Sequence, residues 1–87
     1  MKKQPSQKEL VLRHLVRYGS ITDTVAREKY GIARLAARIH ELRFDGPNIY
    51  GIPVEFRTRL GRVGRYERYC LTTEQRGYWR EILKGAK

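Results

Sequence analysis

The sequence predicts a small α+β domain, mostly helical, with a three-helix core, a two-stranded β-hairpin and an additional C-terminal helix. Apolar residues recur at spacings of three and four between Leu10 and Leu42, the helical period, and change to alternation after Gly46. Segments led by Ser6, Thr22 and Thr72 have the composition of helix starts. A chain of 87 residues sustains a single hydrophobic core, so one domain is expected.

Pro5-Ser6-Gln7-Lys8-Glu9 opens the first helix. Ser6 can accept from the Glu9 amide while the Glu9 side chain bonds back to Ser6, a reciprocal capping box. Leu10, Val11, Leu12, His14, Leu15, Val16 and Tyr18 follow as one apolar stripe, ended by Gly19, so a helix is expected over 7–18. His14, at the edge of the stripe, reads as a packed, hydrogen-bonded side chain. Thr22 is an N-cap, Asp23 lies where the helix dipole favours an anion, and Ile21 is placed to staple onto Ala26, giving a second helix over 23–29. Tyr30-Gly31-Ile32 interrupts it, because Gly31 can take the positive φ of a tight interhelical turn. A third helix is expected from Ala33 to about Asp45, with Leu35, Ile39 and Leu42 buried, Ala36 beside them and Gly46-Pro47 as its stop.

Beyond Gly46, Val54, Phe56 and Thr58 alternate with Glu55, Arg57 and Arg59, and Arg65 to Leu71 reads as a returning strand. A loop of Gly61 to Gly64 sets Thr58 opposite Glu67, Phe56 opposite Tyr69 and Val54 opposite Leu71. Gly51 and Pro53 suit an edge strand, and Ile49 and Ile52 are expected to extend the core. Thr72-Thr73-Glu74-Gln75 starts a short fourth helix carrying Tyr78, Trp79, Ile82 and Leu83, with Lys84 to Lys87 as a frayed tail.

Nineteen Lys and Arg against nine Asp and Glu give a formal charge of +10, which points to polyanions as partners, nucleic acid before an anionic membrane or an acidic protein. A membrane partner calls for a long apolar run or a wide amphipathic face, and neither is present in the sequence. Met1-Lys2-Lys3-Gln4-Pro5 leads into no apolar stretch, so the expected location is the cytoplasm, on the nucleoid or in an infected host cell. Cys70, the sole cysteine, reads as a small hydrophobe in a strand. His14 and His40 lack a second ligand at a metal-binding spacing, and no carboxylate or histidine cluster accompanies a tyrosine. No metal, cofactor, small-molecule ligand or catalytic residue is therefore expected.

Three helices followed by a hairpin, with Ile21-Thr22, Ala26, Tyr30-Gly31-Ile32, the run from Arg34 to Arg43 and the closing Tyr66-x-x-Tyr69-x-Leu71, resemble the small winged helix-turn-helix proteins of bacteria and phages. The resemblance covers about residues 6–71, leaving a basic arm over 1–5 and a C-terminal helix and tail over 72–87. It implies double-stranded DNA as partner, with the third helix in the major groove. On that helix Ala33, Arg34, Ala37, Arg38 and Glu41 are the expected base-reading set, Arg34 and Arg38 by bidentate bonds to guanine. Alternatively Arg38 and Glu41 pair with each other; Arg43 is expected to pack its stem. The expected outer face of the hairpin, or wing, sets Arg57 opposite Arg68 and Arg59 opposite Tyr66, with Arg62 and Arg65 at the turn. Such a cluster of like charge suits phosphates or a minor groove. Thr22, Thr24, Lys2 and Lys3 are weaker candidates for the DNA backbone. Tyr78, Trp79, Ile82 and Leu83 either cap the core or join two subunits of a homodimer. A transcriptional regulator is the leading expectation; a DNA-bending excision or architectural factor and an adaptor for protein or RNA are the alternatives.

Overall fold

The computed structural model describes residues 5–85, and side-chain or glycine caps mark most of its helix ends. In α1 (Gln7–Tyr18), Ser6 Oγ accepts from the Glu9 amide at 3.2 Å, and Gly19 takes φ 88° at the C-terminus. The Glu9 carboxylate lies 3.7 Å from Arg13. Thr22 Oγ1 caps α2 (Asp23–Tyr30), which runs one residue further than the expected 29. Gly31, at φ 67°, closes α2 by donating to the Arg27 carbonyl while the buried Ile32 donates to that of Ala26, a double closure that only a left-handed residue permits easily. α3 (Leu35–Asp45) begins two residues later than the sequence suggests. Ala33 and Arg34 belong to the turn, and Arg34 occupies the N-cap position without a capping side-chain bond.

Three strands form one antiparallel sheet in the order β1-β3-β2: β1 (Ser20–Ile21), β2 (Tyr50–Arg57) and β3 (Val63–Cys70). β1 was not expected; two residues after a helix stop are too few to show alternation. They complete the base of the sheet, with Ile21 opposite Tyr69 and the Leu71 amide bonded to the Gly19 carbonyl. β2 is an edge strand, as Gly51 and Pro53 suggest.

The hairpin register differs from expectation, with consequences for every side chain on it. Val54 faces Tyr66 rather than Leu71, a displacement of five residues, and Phe56 faces Gly64. An odd displacement exchanges the two faces of the returning strand. The expected oppositions of Arg57 with Arg68 and of Arg59 with Tyr66 do not occur: Arg57 faces Val63, Arg68 faces Ile52, and Arg59 lies in the turn. The loop spans Thr58 to Arg62 because Thr58 closes it. The Thr58 amide donates to the Arg62 carbonyl at 2.8 Å, and Thr58 Oγ1 accepts from the Arg62 amide at 3.2 Å. Gly64 serves packing instead of turning, since an added Cβ would meet the Phe56 ring.

The core joins Val11, Leu12, Leu15 and Val16 of α1 to Ala26, Ile32, Leu35, Ile39 and Leu42, with Ile21, Ile49 and Leu71 closing it from the sheet side. Ile52, expected there, is exposed on the wing, and Tyr18 is also exposed, flanked by Arg17 and Lys29. Cys70 is buried as expected. α4 (Thr73–Gly85) is longer than expected and helical through Lys84 and Gly85. Trp79 and Leu83 pack against the core, whereas Tyr78 and Ile82 are exposed.

His14 is buried, with Nδ1 2.7 Å from the Tyr30 hydroxyl. Burial, then repulsion from Lys29, lowers its pKa below the ordinary 6.5, against a smaller raising effect of a backbone hydrogen bond to Ser20. The unfolded chain therefore takes up this proton first. Stability is fullest above about pH 6.5 and falls as pH drops below it. His14→Gln is expected to flatten the change in melting temperature between about pH 8 and about pH 5; an equally steep profile in the variant would assign the dependence to other groups.

Candidate nucleic-acid interface

With 3.6 residues per turn, the stripe of Leu35, Ile39 and Leu42 is opposed on α3 by Ala37, His40, Glu41 and Phe44, with Ala36 alongside. His40 and Phe44 are exposed, Phe44 by 81%, and their rings meet edge to face at 5.1 Å. Neither residue belongs to the base-reading set expected from the sequence, although the angular count from the buried stripe is enough to find both. Arg38 lies on the flank, half-buried, with Nη1 3.4 Å from Glu41 Oε1. The self-pairing alternative thus holds in this structure. The pair is incompletely satisfied, because Arg38 Nε and Glu41 Oε1 make no hydrogen bond. Arg34 and Ala33 are exposed just ahead of the helix. Arg43, on the other flank, donates from Nε to the Ile49 carbonyl at 3.0 Å, tying α3 to the approach of β2.

The ladder sorts the wing into two chemically distinct faces, since residues paired across strands share a side. One carries Ile52, Val54, Phe56 and Tyr66, with Arg68 the charged exception, and the rings of Phe56 and Tyr66 lie 5.9 Å apart. The other carries Glu55, Arg57, Arg65 and Glu67 and runs down to Tyr69 and the buried Ile21. Burial, then the neighbouring Glu67 carboxylate, raises the Tyr69 phenol pKa and keeps it protonated. Arg65 is held by Glu55, with Nη2 at 3.0 Å and Nε at 3.1 Å from the same oxygen. Among the described residues, Arg57, Arg59, Arg62 and Arg68 have no acidic partner within salt-bridge distance. Of the expected wing set, the structure therefore groups Arg57, Arg59, Arg62 and Arg65 on one face and the tip, and separates Tyr66 and Arg68 onto the apolar face.

At the start of α2 the Thr22 hydroxyl is occupied by its cap, and Thr24 is exposed. Lys2 and Lys3 lie outside the described residues. Among the described residues, no cluster of three or more metal-ligating side chains could hold an ion, and no helix is long and apolar enough to cross a membrane.

No curated protein and no solved structure matches the chain. A family model described as a winged helix-turn-helix domain, a fold that supports a DNA-binding role, matches residues 6–74. That span runs from the N-cap of α1 through the wing into the first turn of α4. The chain belongs to the winged helix-turn-helix domain family.

Proposed function

We propose that this protein binds double-stranded DNA sequence-specifically and acts as a transcriptional regulator of the bacterial or phage kind. α3 reads the major groove, and the wing holds the backbone or the minor groove. The observation that carries this proposal is the combination of an open α3 face with a wing whose Arg57, Arg59 and Arg62 lack acidic partners among the described residues. An adaptor for protein has no evident need for both.

In this proposal Ala33, Ala36 and Ala37 allow close approach of the helix, and Arg34 reaches a guanine edge from the turn. Arg38 exchanges its imperfect bond to Glu41 for a base, leaving Glu41 to accept from a cytosine amine. Phe44 and His40 extend the contact along the groove, with apolar contact to a thymine methyl available to Phe44. Thr24 and the amides at the start of α2 meet a phosphate.

Selection of sites from a random DNA library with the purified protein tests this directly. A defined motif bound with steep salt dependence is expected; binding insensitive to salt, or no enriched motif, would sink it. Arg34→Ala and Arg38→Ala should each cost about 1–3 kcal/mol at the preferred site and relax base preference. If both variants select the same motif as strongly as the parent protein, α3 is not the reading element.

A further inference from the structure

The tip of the wing presents an apolar side chain in an arginine-rich turn. Leu60 is 85% exposed, and Arg57, Arg59 and Arg62 surround it in the chain. A scattered surface leucine needs no explanation. Leu60, however, stands on a built support. Thr58 bonds Arg62 through both its amide and its hydroxyl, the Gly61 amide donates to the Thr58 carbonyl at 3.0 Å, and Gly61 takes φ 79° to complete the turn. Two strands of eight residues carry this tip away from the core, a reach of roughly 25 Å at the ordinary rise per residue. The molecule thus extends a firm, narrow, positively charged finger that ends in a leucine.

A duplex minor groove offers the complement to both properties, with phosphate walls for the guanidinium groups and stacked bases between which an apolar wedge can enter. An apolar protein pocket would have to match the tip with a ring of acids. Building on the DNA-binding role proposed above, we infer that the wing tip is a minor-groove wedge. Leu60 enters at a flexible pyrimidine–purine step, unstacks it and bends the duplex, while Arg59 and Arg62 hold the flanking phosphates. Specificity then includes deformability at a step that α3 does not touch.

The test uses the full chain and a mixed-sequence duplex with one central TA step, carrying dyes at its two ends and the fluorescent adenine analogue aminopurine at the step. Binding is expected to shorten the end-to-end distance and to raise aminopurine fluorescence, with smaller changes on a duplex having GC at that step. Leu60→Ser should lose both signals while retaining most of the affinity, and Leu60→Phe should keep them. Because Leu60 is exposed, neither change threatens folding. Bending and unstacking by Leu60→Ser equal to the parent's, or binding by the parent with neither signal, would overturn the wedge and leave the DNA-binding role standing. Failure of the parent to bind any duplex would remove both, and binding of an acidic protein through Leu60 in place of DNA would assign the tip to that partner.

Discussion

Replacing Arg57, Arg59 and Arg62 together by alanine is expected to weaken binding to all duplexes alike and to make its salt dependence much shallower. Each phosphate neutralised contributes about 0.9 to the slope of log affinity against log salt, so loss of three contacts reduces the slope by about 2.7. Raising salt from about 50 mM to about 200 mM should then cost the parent roughly 40-fold more affinity than the variant. The three residues are exposed and lack acidic partners among the described residues, so the substitutions break no observed ion pair and should leave the melting temperature nearly unchanged. Arg68→Ala is the informative control. It sits opposite Ile52 on the apolar face, away from Arg57. The register expected from the sequence makes Arg57 and Arg68 partners and predicts similar effects for both; the observed register predicts a small effect for Arg68 alone. Equal losses would mean that DNA meets both faces of the wing. A triple variant with the parent's salt slope would mean that it meets neither.

That contrast marks where the sequence stopped being readable. The helices were legible because their signals are local: Ser6, Thr22 and Thr72 each bond an amide three residues ahead, and Gly19, Gly31 and Gly46 all take positive φ at a helix end. The core stripe of α3 was legible for the same reason. Register depends instead on which residues close the loop, and two glycines competed for that part. Gly61 turns the chain, whereas Gly64 makes room for Phe56, and the residue that decides between them is Thr58, which alternation had assigned to the strand. The sequence places the start of α3 two residues early because Ala33 and Arg34 are acceptable helix residues by propensity, and nothing local shows that the turn after Gly31 consumes them. The expected DNA-contacting set counts Ala33 and Arg34 as helical for the same reason; its choice of Arg38 over His40 and Phe44 has a separate cause, since the start of a helix does not alter the angles of Arg38, His40 and Phe44 about the buried stripe.

The second large effect concerns α4, whose four apolar residues the sequence could not apportion between the core and a second subunit. Trp79 and Leu83, one turn apart, pack inward, and two polar residues fasten the same side. Arg76 donates from Nε to the Val16 carbonyl at 3.0 Å and from Nη2 to the Arg17 carbonyl at 2.8 Å, satisfying the last turn of α1 with a cation where the helix dipole is negative. Gln75 Oε1 accepts from both Trp79 Nε1 and the Asn48 amide at 3.1 Å, joining α4 to the segment between α3 and β2. The Trp79 ring also lies 3.1 Å from the position of a Cβ added to Gly46, close enough to favour glycine there. Trp79→Ala should therefore cost about 2–3 kcal/mol, below the range for a fully buried tryptophan because the side chain is only partly buried. For a domain of this size that lowers the melting temperature by about 10–20 °C. Arg76→Ala should cost about 1–3 kcal/mol, with Arg76→Lys recovering only part, since an ammonium cannot match the two-pronged contact. Circular dichroism is the appropriate readout, because the Trp79 substitution removes the chain's single indole. If a homodimer forms through α4, Tyr78 and Ile82 are the exposed apolar residues left to join it. Tyr78→Asp with Ile82→Asp should then halve the sedimenting mass without the stability loss of Trp79→Ala. A fall in mass caused by Trp79→Ala with no change in melting temperature would reverse these roles and assign the inward side of α4 to the partner.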